Sequence, residues 1–211
     1  MKKITILLVS ALFTLTTSAF AGGMIGVKYG TGDLDATANS YTAGSNTYAA
    51  ESGSKDNEFG AIFAEINVNE SPISIGIEYV PFDADISLNG KNANVSANVD
   101  DYTTIYALAM HELTNISVYA KLGYSQADIG SVKNDDTTTT VDSKSDSLEG
   151  MMYGVGVQSQ ELPFGLVARA EYTMTDFDDI SVTTTSNGSA SVKKTADGEL
   201  TTLTISLAKS F

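Results

Sequence analysis

From residue 24 to the C-terminus, apolar side chains recur at every second position in eight separate runs, and almost nowhere at the spacing of a helix face. A period of two puts successive side chains on opposite faces of an extended strand, so the chain must fold as β-structure. The runs span about 24–33, 58–68, 72–82, 102–113, 115–128, 148–160, 164–177 and 199–211. Their connections alternate in length. Short ones lie at 69–72, 114–115 and 161–163; long ones, rich in Asp, Asn, Ser, Thr and Gly, lie at about 34–57, 83–101, 129–147 and 178–198. Consecutive hairpins with two unlike ends make an up-and-down antiparallel barrel of eight strands. Asn89-Gly90 and Asn187-Gly188 favour type I′ turns, so hairpins should continue toward the long-loop tips.

Alternation alone does not say which row faces inward; the residue types do. Ile25, Val27 and Tyr29 oppose Gly26, Lys28 and Gly30, and Ile62, Ala64, Ile66 and Val68 oppose Glu65 and Asn67. Ile73, Ile75, Ile77 and Tyr79 oppose Ser74, Gly76 and Glu78, and Ile116, Val118, Leu122 and Tyr124 oppose Ser117, Tyr119, Lys121 and Gly123. Met151, Tyr153, Val155 and Val157 oppose Gly154 and Gly156, and Leu166, Ala168, Ala170 and Tyr172 oppose Arg169 and Glu171. The polar row is small and sparsely charged, unlike the water-facing row of a soluble sheet. Its charges balance: Lys28, Lys121 and Arg169 against Glu65, Glu78 and Glu171. Facing mid-bilayer lipid, a Lys or Arg costs about 2–4 kcal/mol; inside a narrow barrel it can meet a carboxylate. The expectation is an interior charged network, a filled lumen and no solute channel. In the fourth strand both rows are apolar, and Tyr106, Leu108 and Met110 are assigned outward. Phe82, Tyr102 and Phe177 at the long-loop end, and Phe164 and Phe211 at the other, are expected as interfacial girdles.

The first 21 residues, "MKKITILLVSALFTLTTSAFA", carry Lys2 and Lys3, an apolar stretch and the small-residue site Ala19-Phe20-Ala21. This reads as a signal peptide over 1–21 ahead of a barrel domain over 22–211. No later run approaches the roughly 20 apolar residues of a spanning helix, so any membrane crossing must be made by strands. The net charge of −14 argues against nucleic acid as a partner. With no Cys and one His, neither a cofactor nor a resident metal is expected. The acidic stretches at 133–136 and 176–179 lack EF-hand spacing.

The signal peptide, the eight alternating strands and the terminal Phe211 resemble the small outer-membrane β-barrels of Gram-negative bacteria, the OmpA/OmpX type, over the whole mature chain. The resemblance implies an all-β, eight-stranded antiparallel transmembrane barrel in the cell outer membrane, with short periplasmic turns and long extracellular hairpin loops. It implies that Leu203, Ile205, Leu207 and Phe211 form a C-terminal signature read by the barrel-assembly machinery; Lys209 departs from that pattern. The function it suggests is a non-enzymatic, monomeric surface barrel among outer-membrane lipids. Such a barrel would serve envelope integrity or bind an unknown extracellular ligand through acidic loops. A porin-like channel and a lipid A-modifying or proteolytic barrel stay open as alternatives. For an enzyme, the single His111 falls three residues before a short turn, at the end away from the long loops.

Overall fold

Each strand pairs antiparallel with the next hairpin partner, and the last closes on the first. The structure is a computed structural model and describes residues 22–43, 45–68, 71–81, 84–89, 94–134, 139–186 and 191–211. The ring is built from β1 (Gly23–Ala38), β4 (Glu51–Asn67), β5 (Ile73–Val80), β7 (Asn94–Glu112), β8 (Ile116–Asn134), β10 (Ser147–Ser159), β11 (Leu166–Ser186) and β12 (Val192–Ser210). The β1–β12 ladder, from Met24↔Ser210 to Ala38↔Ala196, leaves no edge where the barrel closes. Short pieces lie in the long connections: β2 (Tyr41–Ala43) with β3 (Asn46–Tyr48), β6 (Ala84–Asn89) on β7, and β9 (Thr139–Lys144) on β11. All eight predicted strands are present. Several run further toward the long-loop end than their apolar alternation does, because Thr, Ser and Asp residues continue the ladders there.

The predicted apolar rows point outward. Val27, Ile105, Leu122, Val155, Leu203 and Ile205, on five different strands, stand about 60 % exposed. A continuous apolar band of this kind needs a non-aqueous neighbour. The sequence reading fails in β7. Tyr106 and Leu108 are buried inside the ring, Met110 packs against them, and Ile105, Ala107 and Ala109 take the outward row. The physical reason lies across the ladder: Tyr106 is in register with Gly76 on β5 and Gly123 on β8. A Cβ on Gly76 would sit 2.5 Å from Tyr106 Cζ, so two glycines open the hole that the ring fills. Two of the expected girdle residues also turn inward. Phe177 is buried and meets Tyr102 edge-on at 6.5 Å, over a hydroxyl layer in which Tyr102 OH donates to Ser125 Oγ. Phe82, the Asn-Gly tips at 89–90 and 187–188, and most of 133–136 lie outside the described residues or side chains, as does 1–21.

Above the ring the wall divides. Toward the loops, β6, β7 and β8 make one sheet, and β9, β11, β12, β1 and β4 make another. Among the described residues no ladder joins β4 to β6 or β8 to β9. Pro81, with no N–H, ends β5 at one parting. Register shifts at Asp100/Thr103 in β7 and Phe177/Ile180 in β11 turn the strands at the same level. Asp101 holds a left-handed φ of 55° there, and Tyr79 OH donates to its Oδ1 at 2.7 Å.

Glycine–aromatic complementarity predicts a specific rescue. A Cβ on Gly156 would overlap the Tyr119 ring, its register partner. Gly156→Ala should destabilise the barrel by about 1–3 kcal/mol, the usual cost of overpacking. Adding Tyr119→Leu should recover part of that loss, read as the urea midpoint of unfolding.

Candidate functional site: a buried charge network inside the barrel

All six interior charges predicted from the sequence come together at mid-height in the barrel, each nine-tenths buried or more. They form two linked groups. In the first, Lys28 Nζ donates to Glu78 Oε2 at 2.6 Å and contacts Glu171 Oε2. Lys121 Nζ donates to the same two carboxylates at 3.2 and 3.4 Å. Two ammonium groups and two carboxylates therefore alternate around a closed four-membered ring. In the second, Arg169 grips Glu65 with two parallel bonds, Nη1 to Oε1 at 2.6 Å and Nη2 to Oε2 at 2.8 Å. The planar fork suits this geometry as a lysine could not.

Strand alternation alone positions these groups. Lys28 sits between outward Val27 and Tyr29, Lys121 between Ala120 and Leu122, and Arg169 and Glu171 flank Ala170. With the apolar row outward, alternation leaves each charge the inward face. Uncharged neighbours complete the shell. Arg169 Nε donates to Gln158 Oε1 at 2.6 Å, and Tyr106 OH donates to Glu65 Oε1 at 2.7 Å. Lys121 Nζ lies 3.7 Å from the Tyr106 ring centroid, and the Arg169 guanidinium lies 5.2 Å from that of Tyr119 and 5.7 Å from that of Phe63. Alternation in the sequence does not single out Phe63 or Gln158, and it assigns Tyr106 outward. Phe63 shares its parity with Glu65 on β4, and that was the signal available.

The other sequence candidates stand apart from this network. Leu203, Ile205 and Leu207 lie on the outward face of β12, and Phe211 lies at the short-turn end, its N–H donating to the Gly23 carbonyl. Lys209 Nζ donates to the carbonyl of Phe164, a residue at φ 69° whose ring is exposed. His111 is exposed near the same end. Among the described residues no group of three or more His, Cys, Asp or Glu is placed to hold a metal ion.

The family model described as outer membrane protein beta-barrel domain matches residues 4–208. The chain belongs to the outer membrane protein beta-barrel domain family. No curated protein matches it in sequence. Among solved structures, outer membrane protein AlkL in lipid bilayers is similar at TM-score 0.54 and 11 % identity, covering 93 % of this chain and 94 % of its own. Outer membrane protease OmpT from Escherichia coli is similar at 0.52 and 10 %, covering 94 % and 100 %. Ail, the attachment invasion locus protein of Yersinia pestis, follows at 0.45 and 13 %, covering 90 % and 99 %. At these identities the likenesses speak to the fold alone. For an outer-membrane barrel, the apolar band is the face turned to lipid. The expected outer membrane location agrees with the family.

A buried pair of this kind predicts an asymmetric mutational response. Arg169→Met leaves Glu65 charged and buried and should cost about 3–5 kcal/mol. Adding Glu65→Leu should recover most of that loss. The check is the urea midpoint of wild type, both single variants and the double variant in one lipid.

Proposed function

We propose that this protein is an occluded, non-conducting and non-enzymatic outer-membrane barrel that works through the surface its outer hairpins present. One observation carries the reading: the cross-section at mid-height is filled by six paired charges and the rings of Phe63, Tyr106 and Tyr119. Eight strands enclose just enough room for their own side chains, and here that room is used. The remaining chain is invested outside the lipid. A spanning strand needs about 9–11 residues, whereas β11 has 21 and β12 has 19. That outer region is acidic and offers a surface on which a ligand can be bound.

Further parts of the proposal concern biogenesis and neighbours. Leu203, Ile205, Leu207 and Phe211 serve as the segment read by the barrel-assembly machinery, after export directed by residues 1–21. The barrel is a monomer surrounded by outer-membrane lipids, with an extracellular ligand met by the hairpins. An enzymatic role is disfavoured by His111, which sits at the short-turn end, away from the outer hairpins.

Single-channel recording on the purified, folded protein tests the occlusion. The expected trace is silent at voltages where a porin conducts. A steady, reproducible conductance step overturns the reading in favour of a small channel. Deleting Phe211 should slow insertion into the outer membrane severalfold in pulse–chase fractionation. Unchanged insertion removes the assembly role.

A further inference from the structure

Beyond the closed ring, β4 keeps a neighbour on one side only. Its residues 51–61 pair with β1 in one unbroken register, from Ala38↔Glu51 onward, whereas pairing with β5 begins at Ile62↔Tyr79. The two sides of β4 can be assigned. The Asn67 amide donates to the Gly22 carbonyl toward β1, and the Val68 amide donates to the Ile73 carbonyl toward β5. Alternation along an unbroken register then turns the N–H and C=O of Ser52, Ser54, Asp56, Glu58 and Gly60 away from β1, into the parting between β4 and β6. Among the described residues none of these five has a backbone partner on that side.

The other strands bordering the two partings are short or interrupted. β6 and β9 are six residues each. The β7–β8 ladder carries two register shifts. Across the second parting, Lys144 Nζ donates to the Ile129 carbonyl at 2.5 Å and the Ile129 amide donates to Asp146 O at 2.9 Å. Bulges, shortness and covering contacts are the usual ways a sheet edge is made unreceptive. The edge of β4 is regular over eleven residues, with no register shift, and among the described residues no ladder covers it, although β6 comes near it.

The side chains beside that edge carry one sign. Asp33 lies directly across the ladder from Asp56, Asp35 lies across from Ser54, and Glu58 accepts from Tyr29 OH at 2.8 Å. Lys55 projects from the opposite face, by alternation. Desolvation, then the charges of Asp35 and Asp56, push the Asp33 carboxyl above its ordinary range. Two copies meeting edge to edge would oppose Asp56 and Glu58 to their own counterparts, which is unfavourable. A cationic strand would relieve the crowding.

We infer that the outer edge of β4 accepts an added antiparallel strand from an extended polypeptide segment bearing Lys or Arg at alternate positions. Its backbone would pair with Ser52, Ser54, Asp56 and Glu58, and its cations would lie beside Asp56 and Glu58. This rests on the surface-presenting role proposed above and names the class of partner.

The test uses the full-length protein in lipid nanodiscs and labelled peptides of about ten residues, matched to the edge. The probes are alternating Lys-Thr, alternating Glu-Thr, and Lys-Thr N-methylated at every second residue. Expected results are saturable binding of Lys-Thr, slowed amide exchange at Ser54, Asp56 and Glu58, and binding of the other two weaker by about tenfold or more. Ser54→Pro removes a parting-facing N–H and leaves the β1 ladder intact, so it should weaken Lys-Thr by a similar factor. The double charge reversal Asp56→Lys, Glu58→Lys should reverse the peptide preference. Equal binding of the methylated peptide overturns strand addition and leaves plain charge attraction; it decides the matter even if Ser54→Pro fails to fold. No binding of Lys-Thr overturns the inference outright. None of these readouts depends on conductance, so absent binding by a silent barrel counts against this inference alone.

Discussion

Six charges inside a lipid-encircled barrel must satisfy one another, and the interior is arranged around that requirement. Three carboxylates and three cations leave no net charge, so no ion has to be drawn in to balance them. The alternating square of Lys28, Glu78, Lys121 and Glu171 draws on four strands: β1, β5, β8 and β11. Arg169 and Glu65 bridge a further pair, β11 and β4, across the lumen. Burying these groups has a large desolvation cost, and well-packed apolar residues could stabilise as much. What the pairing supplies is specificity: a strand slipped by one residue would turn Lys28 or Arg169 into lipid and leave its carboxylate unpaired.

Packing follows from the same constraint. Long side chains converging at mid-height crowd the lumen, and aromatic rings fill what remains. Each ring has a glycine across the ladder: Gly26 for Phe63, Gly76 and Gly123 for Tyr106, and Gly156 for Tyr119. The interior glycines therefore serve as space for side chains on adjacent strands. The filled section separates the short-turn end of the lumen from the long-loop end.

Much of this was legible in the sequence, and the exceptions share a cause. Period-two alternation located the eight strands of the ring, though not the short β2, β3, β6 and β9, and the balance of Lys28, Lys121 and Arg169 against Glu65, Glu78 and Glu171 identified the inner row. Those features are local to one strand. In β7, Ile105, Ala107 and Ala109 compete with Tyr106, Leu108 and Met110 on equal terms within the strand, and the choice is made by glycines on its neighbours. Tyr102 and Phe177 mislead similarly, because aromatic character at a strand end suits both the lipid interface and the mouth of the lumen. The parting of the wall left a single local trace, Pro81; the edge of β4 emerges only from the full pairing record.

The central claim is that the six charges meet one another in the bilayer. Solid-state NMR of the folded protein in lipid, with labels on Arg and Lys side-chain nitrogens and Glu side-chain carbons, tests it directly. The account predicts through-space correlations from the Arg169 guanidinium to Glu65 Cδ and from Lys28 and Lys121 Nζ to Glu78 and Glu171 Cδ, with side-chain protons protected from water exchange. Absence of these correlations, together with rapidly exchanging Lys28 and Lys121 ammonium protons, would contradict it and indicate a hydrated lumen.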